Sequence, residues 1–365
     1  MKKTKILHLI SGLEIGGAET MLSQVLPLLK NFEHIVCSLS GPGALGEKIE
    51  SLGFKVIYLE GGKKFSLKSI IQFHKIIKKE RPDIISTRLI HADIFGRIFG
   101  KLFGTKKIVC ILESILDNPK YDKFFYIERI SSCLVDRYVA VSNAVKNKYI
   151  KMAKIKPKKI VTIYNGIDLK KFQLSEDKII TRKKLGLSID DTIIGYAAKM
   201  RPERNHLALI KSIAILEKKY PKIKLLLAGD GPEKNNLMQL SEKLGIADNV
   251  TFLGQRNDIP QILNSLDIFI SPSQYEGMSV AILEAMGIGL PIIASDIEPN
   301  RELIEENKDG ILVDQNQPSL IAEKIKLLLD NPIIIKKLAI AAKHKIKLFS
   351  LEKTVSELDK LYKQI

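Results

Sequence analysis

Lys5-Ile6-Leu7-His8-Leu9-Ile10-Ser11-Gly12-Leu13-Glu14-Ile15-Gly16-Gly17-Ala18-Glu19 reads as one strand, one glycine-rich turn and the start of one helix. Ile6 to Ile10 is apolar apart from His8, the composition of a strand covered on both faces. From Glu19 to Lys30 the apolar spacing becomes helical. Outward from this unit the same alternation repeats. Further strands are expected at Ile35 to Leu39, Lys55 to Leu59, Ile84 to Thr87, Ile108 to Ile111 and Tyr138 to Val141. Amphipathic helices such as Leu67 to Glu80, Ala92 to Phe103 and Asn143 to Met152 lie between them. Strand-helix alternation predicts an α/β fold with a parallel sheet and helices on both of its faces.

The pattern stops near Asn165-Gly166-Ile167-Asp168, crosses a polar stretch to about Asp190 and restarts. Strands are expected at Thr192 to Ala197, Ile223 to Ala228, Val250 to Leu253, Asp267 to Ile270, Pro291 to Ala294 and Ile311 to Val313. Helices near 206–218, 233–244, 258–265, 279–287, 299–306 and 318–330 fill the gaps. The expectation is two tandem Rossmann-like domains facing a cleft, with boundaries at 1–168 and 169–345. A last helix within 346–365 is expected to pack back on the first domain.

Composition narrows the function classes. The 365 residues carry 58 Lys and Arg against 41 Asp and Glu, a formal charge of +17. Residues 1–168 hold 29 basic and 15 acidic groups, +14, so nearly all the excess lies in the first half. A field of that sign attracts anionic partners. Aromatic content is 6%, Trp is absent and no nucleic-acid-binding signature occurs, so a specific nucleic-acid partner is not expected. Cys37, Cys110 and Cys133 lack C-x-x-C spacing and read as reduced core thiols. The histidines 8, 34, 74, 91, 206 and 344 form no ligand pattern, so no built-in metal or other cofactor is expected. The basic N-terminus precedes too short an apolar run for a signal peptide, and Val280 to Ala294 is too short and interrupted to span a bilayer. A cytoplasmic protein is expected.

Four segments carry candidate chemistry. The Ser11 to Glu19 turn has the order G-x-x-x-G-G and is neither a dinucleotide fingerprint nor a Walker loop. A structural turn and a ligand loop are equal readings. In Ser271-Pro272-Ser273-Gln274-Tyr275-Glu276-Gly277-Met278-Ser279, Ser279 is placed to cap a helix whose first amides, with those of Gly277 and Met278, can hold a diphosphate. Glu276 precedes that helix and Glu284 lies inside it. Ala281, Ile282, Leu283, Ala285 and Met286 make the helix apolar nearly all round, so Glu284 is buried or lines a cleft and needs a polar ligand or a base nearby. Lys199-Met200-Arg201-Pro202-Glu203-Arg204-Asn205-His206 links a strand to a helix, and reads either as cations suited to a departing diphosphate or as a charged surface loop. Gly229-Asp230-Gly231-Pro232 reads as a structural turn.

In order and spacing these segments resemble the retaining glycosyltransferases of family 4, which have the GT-B fold. The resemblance covers nearly the whole chain. It rests on G-G-A-E at 16–19, V-S-N at 141–143, N-G-I-D at 165–168, G-D-G-P at 229–232, the E-x7-E pair Glu276 and Glu284, and the run from Glu284 through Pro291 to Gly310-Ile311-Leu312-Val313. It implies that Gly16 and Gly17 approach donor phosphates or acceptor, and that His91 lies beside the transferred sugar. Glu276, Gly277, Met278 and Ser279 would hold sugar and diphosphate, Glu284 the ribose, and the segment with Arg256 the base. The family's Arg and Lys clamp is exchanged here for Lys199 and Arg204, with Arg201 the other candidate for the first cation.

The resemblance implies metal-independent transfer of a hexose, from a UDP-sugar first and a GDP-sugar second, to a hydroxyl of a cell-surface glycan or polyprenyl-linked acceptor. Configuration would be retained. The basic first domain adds an expected anionic membrane surface, with the enzyme peripheral at the inner face. A nucleotide-sugar epimerase of similar architecture, or a non-catalytic membrane- or nucleic-acid-binding module, is the alternative.

Overall fold

The computed structural model describes residues 3–59, 65–115, 122–174 and 176–365. Its backbone divides into two compact units, Met1–Asn165 with Leu351–Ile365, and Gly166–Ser350.

The first unit is a seven-stranded sheet of β1 (Thr4–Ile10), β2 (Phe32–Ser38), β3 (Lys55–Tyr58), β4 (Ile84–Arg88), β5 (Lys107–Leu112), β6 (Arg137–Ala140) and β7 (Ile160–Thr162). The spatial order is β3-β2-β1-β4-β5-β6-β7, every pairing parallel. The connections carry α1 (Gly17–Val25), α2 (Ala44–Ser51), α3 (Leu67–Glu80), α4 (Ile90–Leu102), α5 (Asp122–Ser131) and α6 (Asn143–Ala153). Central strands are apolar on both faces because helices cover both; Ile6, Leu7, Leu9 and Ile10 are fully buried. Two of the sequence signatures prove to be turns that start helical segments. Ser142 of V-S-N caps α6, its Oγ accepting from the Val145 amide at 3.2 Å, and Asp168 of N-G-I-D accepts from the Lys170 amide at 3.2 Å.

The second unit has six parallel strands, β8 (Thr192–Ala197), β9 (Ile223–Ala228), β10 (Val250–Gly254), β11 (Ile268–Ser271), β12 (Ile292–Ser295) and β13 (Ile311–Val313), in the order β10-β9-β8-β11-β12-β13. Its helices are α7 (Lys178–Lys184), α8 (His206–Leu216), α9 (Lys234–Lys243), α10 (Ile259–Asn264), α11 (Val280–Ile288), α12 (Glu298–Leu303), α13 (Pro318–Leu329) and α14 (Pro332–Lys345). The polar stretch before Asp190 contains α7, capped by Asp177. The chain then re-enters the first unit as α15 (Leu351–Gln364), which buries Leu351, Thr354, Leu358, Leu361 and Tyr362 on one stripe. Each fully buried Leu there is worth about 1.5 to 3 kcal/mol. Tyr362 bonds Ser86 at 2.8 Å, and Thr354 donates to the Tyr164 carbonyl at 2.8 Å.

Each sheet reverses strand order once, between β1 and β4 in the first unit and between β8 and β11 in the second. At such a reversal adjacent crossovers leave the sheet on opposite faces and open a crevice at the strands' carboxyl ends. The Ser11 to Glu19 turn follows β1, the Lys199 to Arg204 segment follows β8, and Pro272 to Ser279 follows β11. Cys37 and Cys110 are buried free thiols as expected, whereas Cys133 is exposed, because it sits on a short surface turn at the end of α5 rather than in a strand.

Candidate functional site

In the second unit two loops at the strand-order reversal bring together residues far apart in the chain. Arg204 ends a short helical turn begun by Pro202, and the Gln274 amide donates to the Glu203 carbonyl at 2.8 Å, lacing the β8 and β11 loops. Arg204 Nη1 pairs with Glu276 Oε1 and lies 3.4 Å from Ser273 Oγ. Ser273 donates to the same Glu276 oxygen at 2.9 Å, and Tyr196 of β8 reaches Ser273 at 2.8 Å. Glu276 is 6% exposed, while the Arg204 side chain is 32% exposed. The carboxylate is therefore fixed inside the loop and the guanidinium keeps one edge toward solvent. Spending Nη1 on Glu276 leaves Nη2 and Nε to grip an anion.

The β8 loop is held by glycines that accept no substitute. A Cβ on Gly229 would stand 2.1 Å from the Ala198 carbonyl oxygen, and one on Gly231 2.3 Å from that of Met200. The Met200 amide donates to the Asp230 carbonyl at 2.9 Å, and buried Met200 anchors the segment. Lys199 and Arg201 on either side are exposed; the Lys199 ammonium has no partner among the described residues, and Arg201 approaches Glu203 at 3.9 Å. The two differ little in availability to an anion.

Ser279 occupies the N-cap position of α11, yet its hydroxyl makes no cap bond and has no partner among the described residues. The expectation of a capping serine thus fails, since the backbone there turns without presenting the hydroxyl to the helix amides, and a group able to meet a ligand remains. Gly277 and Met278 are buried beside it. Glu284, half-buried in the second turn of an apolar helix, makes no hydrogen bond or ion pair among the described residues; desolvation pushes its carboxyl up to about 7. Arg256, after β10, is exposed and doubly paired with Asp258 at 2.8 and 2.6 Å, apart from the Arg204 cluster.

In the first unit the equivalent reversal joins the glycine turn to α4. Gly16 is the N-cap of α1 and Gly17 its exposed first residue. Ser11 Oγ accepts from the Ala92 amide at 3.1 Å, tying the turn to the helix start that carries His91. His91 is half-buried between the rings of Phe65 and Phe124, at 6.4 and 6.3 Å. Leu89, just before α4, has φ 71° and ψ 145°, a strained conformation for a branched residue. Two groups went unread in the sequence: Arg88 at the end of β4, paired with Glu113 after β5, both nearly buried. Only their positions at carboxyl ends of adjacent strands signalled them.

Comparison with known proteins now decides the family. The model for Glycosyltransferase Family 4 matches residues 15–171, and that for Glycosyl transferases group 1 matches residues 177–345. The chain is a group 1, family 4 glycosyltransferase. Similar proteins include the UDP-Gal:alpha-D-GlcNAc-diphosphoundecaprenol alpha-1,3-galactosyltransferase of Escherichia coli, 28% identical over 91% of this chain and 89% of that one. The capsular polysaccharide biosynthesis glycosyltransferase CapH of Staphylococcus aureus is 26% identical over 98% of each. Among solved structures, Anabaena HepE in complex with UDP and glucose superposes with a TM-score of 0.89 at 22% identity, covering 99% of this chain and 100% of that one. That likeness establishes the GT-B fold for this glycosyltransferase. Among its described residues no helix is long and apolar enough to cross a membrane, and no three His, Cys, Asp or Glu side chains group as metal ligands.

Proposed function

We propose that this glycosyltransferase moves a hexose from a nucleotide-diphosphate sugar, UDP-linked first and GDP-linked second, to a hydroxyl of a glycan or polyprenyl-linked acceptor, with retention and without a metal ion. The observation that carries the reading is the convergence of Arg204, Ser273 and Glu276 at the β8 and β11 strand ends, beside the start of α11. The activity for which the Escherichia coli relative is named supports both a UDP-sugar and a diphosphoundecaprenol-linked acceptor.

In this reading the diphosphate is held by the outer edge of Arg204, by Lys199 or Arg201, and by the Ser279 hydroxyl with the Gly277 and Met278 segment at the positive end of α11. Glu276 accepts from hydroxyls of the sugar, Glu284 from the ribose, and Arg256 lies toward the base. Gly16, Gly17 and His91 take the acceptor and transferred-sugar roles. The bond from the anomeric carbon to the diphosphate oxygen breaks as the acceptor oxygen bonds to the same face. The acceptor proton passes to the leaving phosphate oxygen. Cations placed where negative charge grows on the leaving group supply most of the acceleration.

The reading extends to where a lipid-linked acceptor is met. Leu67 and Ile71 on α3, Leu102 on α4, and Tyr126 and Ile130 on α5 are exposed, and α4 packs beside both neighbours. Exposed Lys75, Lys78, Lys79, Lys123 and Arg129 share these helices. Apolar groups among cations bind anionic lipid surfaces. Flotation with vesicles of anionic and of neutral lipid tests this; equal recovery from both sinks it.

Donor class is tested by thermal shift with UDP, GDP and their hexoses, because a bound ligand stabilises by mass action. No response to any nucleotide diphosphate would overturn the reading. Turnover that survives a chelator is expected; turnover restored only by magnesium or manganese would remove the metal-free part. Conversion of donor in the absence of acceptor into an epimeric nucleotide sugar would favour the epimerase.

A further inference from the structure

We propose that Tyr196 and Ser273 are positioning residues that hold Glu276 in one orientation, with a single carboxylate oxygen left for the donor sugar. The proposal rests on the reading of Glu276 as the sugar-holding carboxylate.

Hydrogen-bond valence fixes the direction of the chain. An ionised carboxylate only accepts, so Ser273 spends its one hydroxyl proton on Glu276 Oε1 at 2.9 Å. The 2.8 Å contact between Tyr196 and Ser273 must then be donated by the phenol. With Arg204 also on Oε1, that oxygen is occupied, and Oε2 has no partner among the described residues. Both relay groups are inside the protein, Ser273 with no exposed surface and Tyr196 at 2%. Buried polar groups that are fully satisfied rigidify what they touch.

The far end of the relay is held by packing alone. The Tyr196 ring packs against His206 at a tilt of 38° with centroids 4.9 Å apart, and meets Phe269 in a T-shaped arrangement at 6.0 Å. His206 is 2% exposed and neither ring nitrogen has a hydrogen-bond partner among the described residues. Burial holds the His206 imidazole neutral, so it serves as a packing surface beside the phenol rather than as a proton carrier, and Tyr196 has one place to send its hydroxyl proton.

Tyr196→Phe and Ser273→Ala each delete a donor without adding volume. They are measured for affinity to UDP, for affinity to UDP-glucose or UDP-galactose, whichever the wild type binds, and for hydrolysis of that donor, alone and combined with Glu276→Ala. The expected result is UDP affinity within twofold of wild type for both variants, with donor hydrolysis and sugar-dependent affinity reduced about tenfold in Ser273→Ala, which loses a hydrogen bond to a charged group, and less in Tyr196→Phe, which loses one between neutral hydroxyls. In the Glu276→Ala background neither substitution should add to the loss. Wild-type hydrolysis by both variants while Glu276→Ala is inactive would overturn the relay and leave Glu276 in its role. Equal losses for UDP and UDP-sugar, or full additivity with Glu276→Ala, would overturn it in favour of a general structural effect. Full activity of Glu276→Ala would overturn the reading of Glu276 and the relay with it.

Discussion

The two strand-order reversals have the same topology and use charge in opposite ways. At β1 and β4 the charged groups are paired and nearly sealed: Arg88 and Glu113 side chains are 4% and 8% exposed. One helix further along, Arg97 and Glu128 are 0% and 8%, with Tyr138 donating to Glu128 at 2.8 Å. At β8 and β11 the carboxylate is enclosed but its partner Arg204 is a third exposed, and Lys199 and Arg201 lie open. Arg97 spends Nε, Nη1 and Nη2 on Asp93, Glu128 and Ser131, and the Nε of Arg88, which has no partner among the described residues, is buried away from solvent, so the energy of these sealed pairs goes into the fold. Half-open pairs retain donors, so theirs is available to a substrate.

The sharpest way to break this contrast is to remove one charge from each side. Glu276→Ala is expected to lower turnover about a thousandfold, roughly 4 kcal/mol of transition-state stabilisation, in steady-state kinetics. Its melting temperature should move little, because Arg204 regains solvent. A variant that keeps wild-type turnover would show the half-open pair to be structural.

Arg97→Met is the mirror test. Arg97 also donates through Nε to the Asp93 carbonyl at 2.8 Å, and its loss strands Glu128 in the interior. Removing one partner of a buried pair costs about 3 to 5 kcal/mol, which in a unit of this size lowers the melting temperature on the order of 10 °C. Turnover per folded molecule should stay within twofold. A selective loss of activity with unchanged melting would place the sealed network in the reaction.

How far these sites could be read in advance follows from the range of the contacts. Both Rossmann-like series were legible because period-two and helical patterns are local; Thr192–Ala197, Ile223–Ala228 and Ile311–Val313 fall where the pattern puts them. Edge strand β7 has only three residues and leaves no period to count, and α14 has only Pro332 to mark its start. Arg204 and Glu276 were legible as separate candidates, but their pairing spans 72 residues and Tyr196 to Ser273 spans 77. Ser273 had a local signal, its S-x-x-E spacing to Glu276. Tyr196 had none, since a tyrosine in a buried strand reads as core until its hydroxyl finds a partner.

Glu284 sharpens the comparison through pH. Its carboxyl, raised to about 7 by burial, is ionised only above neutrality. If it accepts from ribose hydroxyls, the donor KM should rise about tenfold between pH 8 and pH 6, as the ionised fraction falls. Glu284→Gln should flatten that profile. Without donor the sign is reversed, because unfolding returns the carboxyl to its ordinary range. The unliganded fold therefore loses stability from this group as pH rises from about 4.5 to about 7, which melting curves across that window would record.

The smallest effect separates the two equal readings of the glycine turn. A Cβ on Gly17 meets nothing within 4 Å, and Gly17 is the exposed first residue of α1. Ala there is compatible with the backbone and favoured over Gly in a helix by up to about 1 kcal/mol. Gly17→Ala should thus leave the melting temperature unchanged or raise it slightly. If the turn is only structural, kinetics stay as in the wild type. If a phosphate or acceptor approaches the backbone there, the new methyl occupies that space and KM for that substrate rises severalfold with stability intact. A loss of stability instead would mean that the turn is packed more tightly than its open Cβ direction shows, and that the first reversal, like its buried ion pairs, serves the fold.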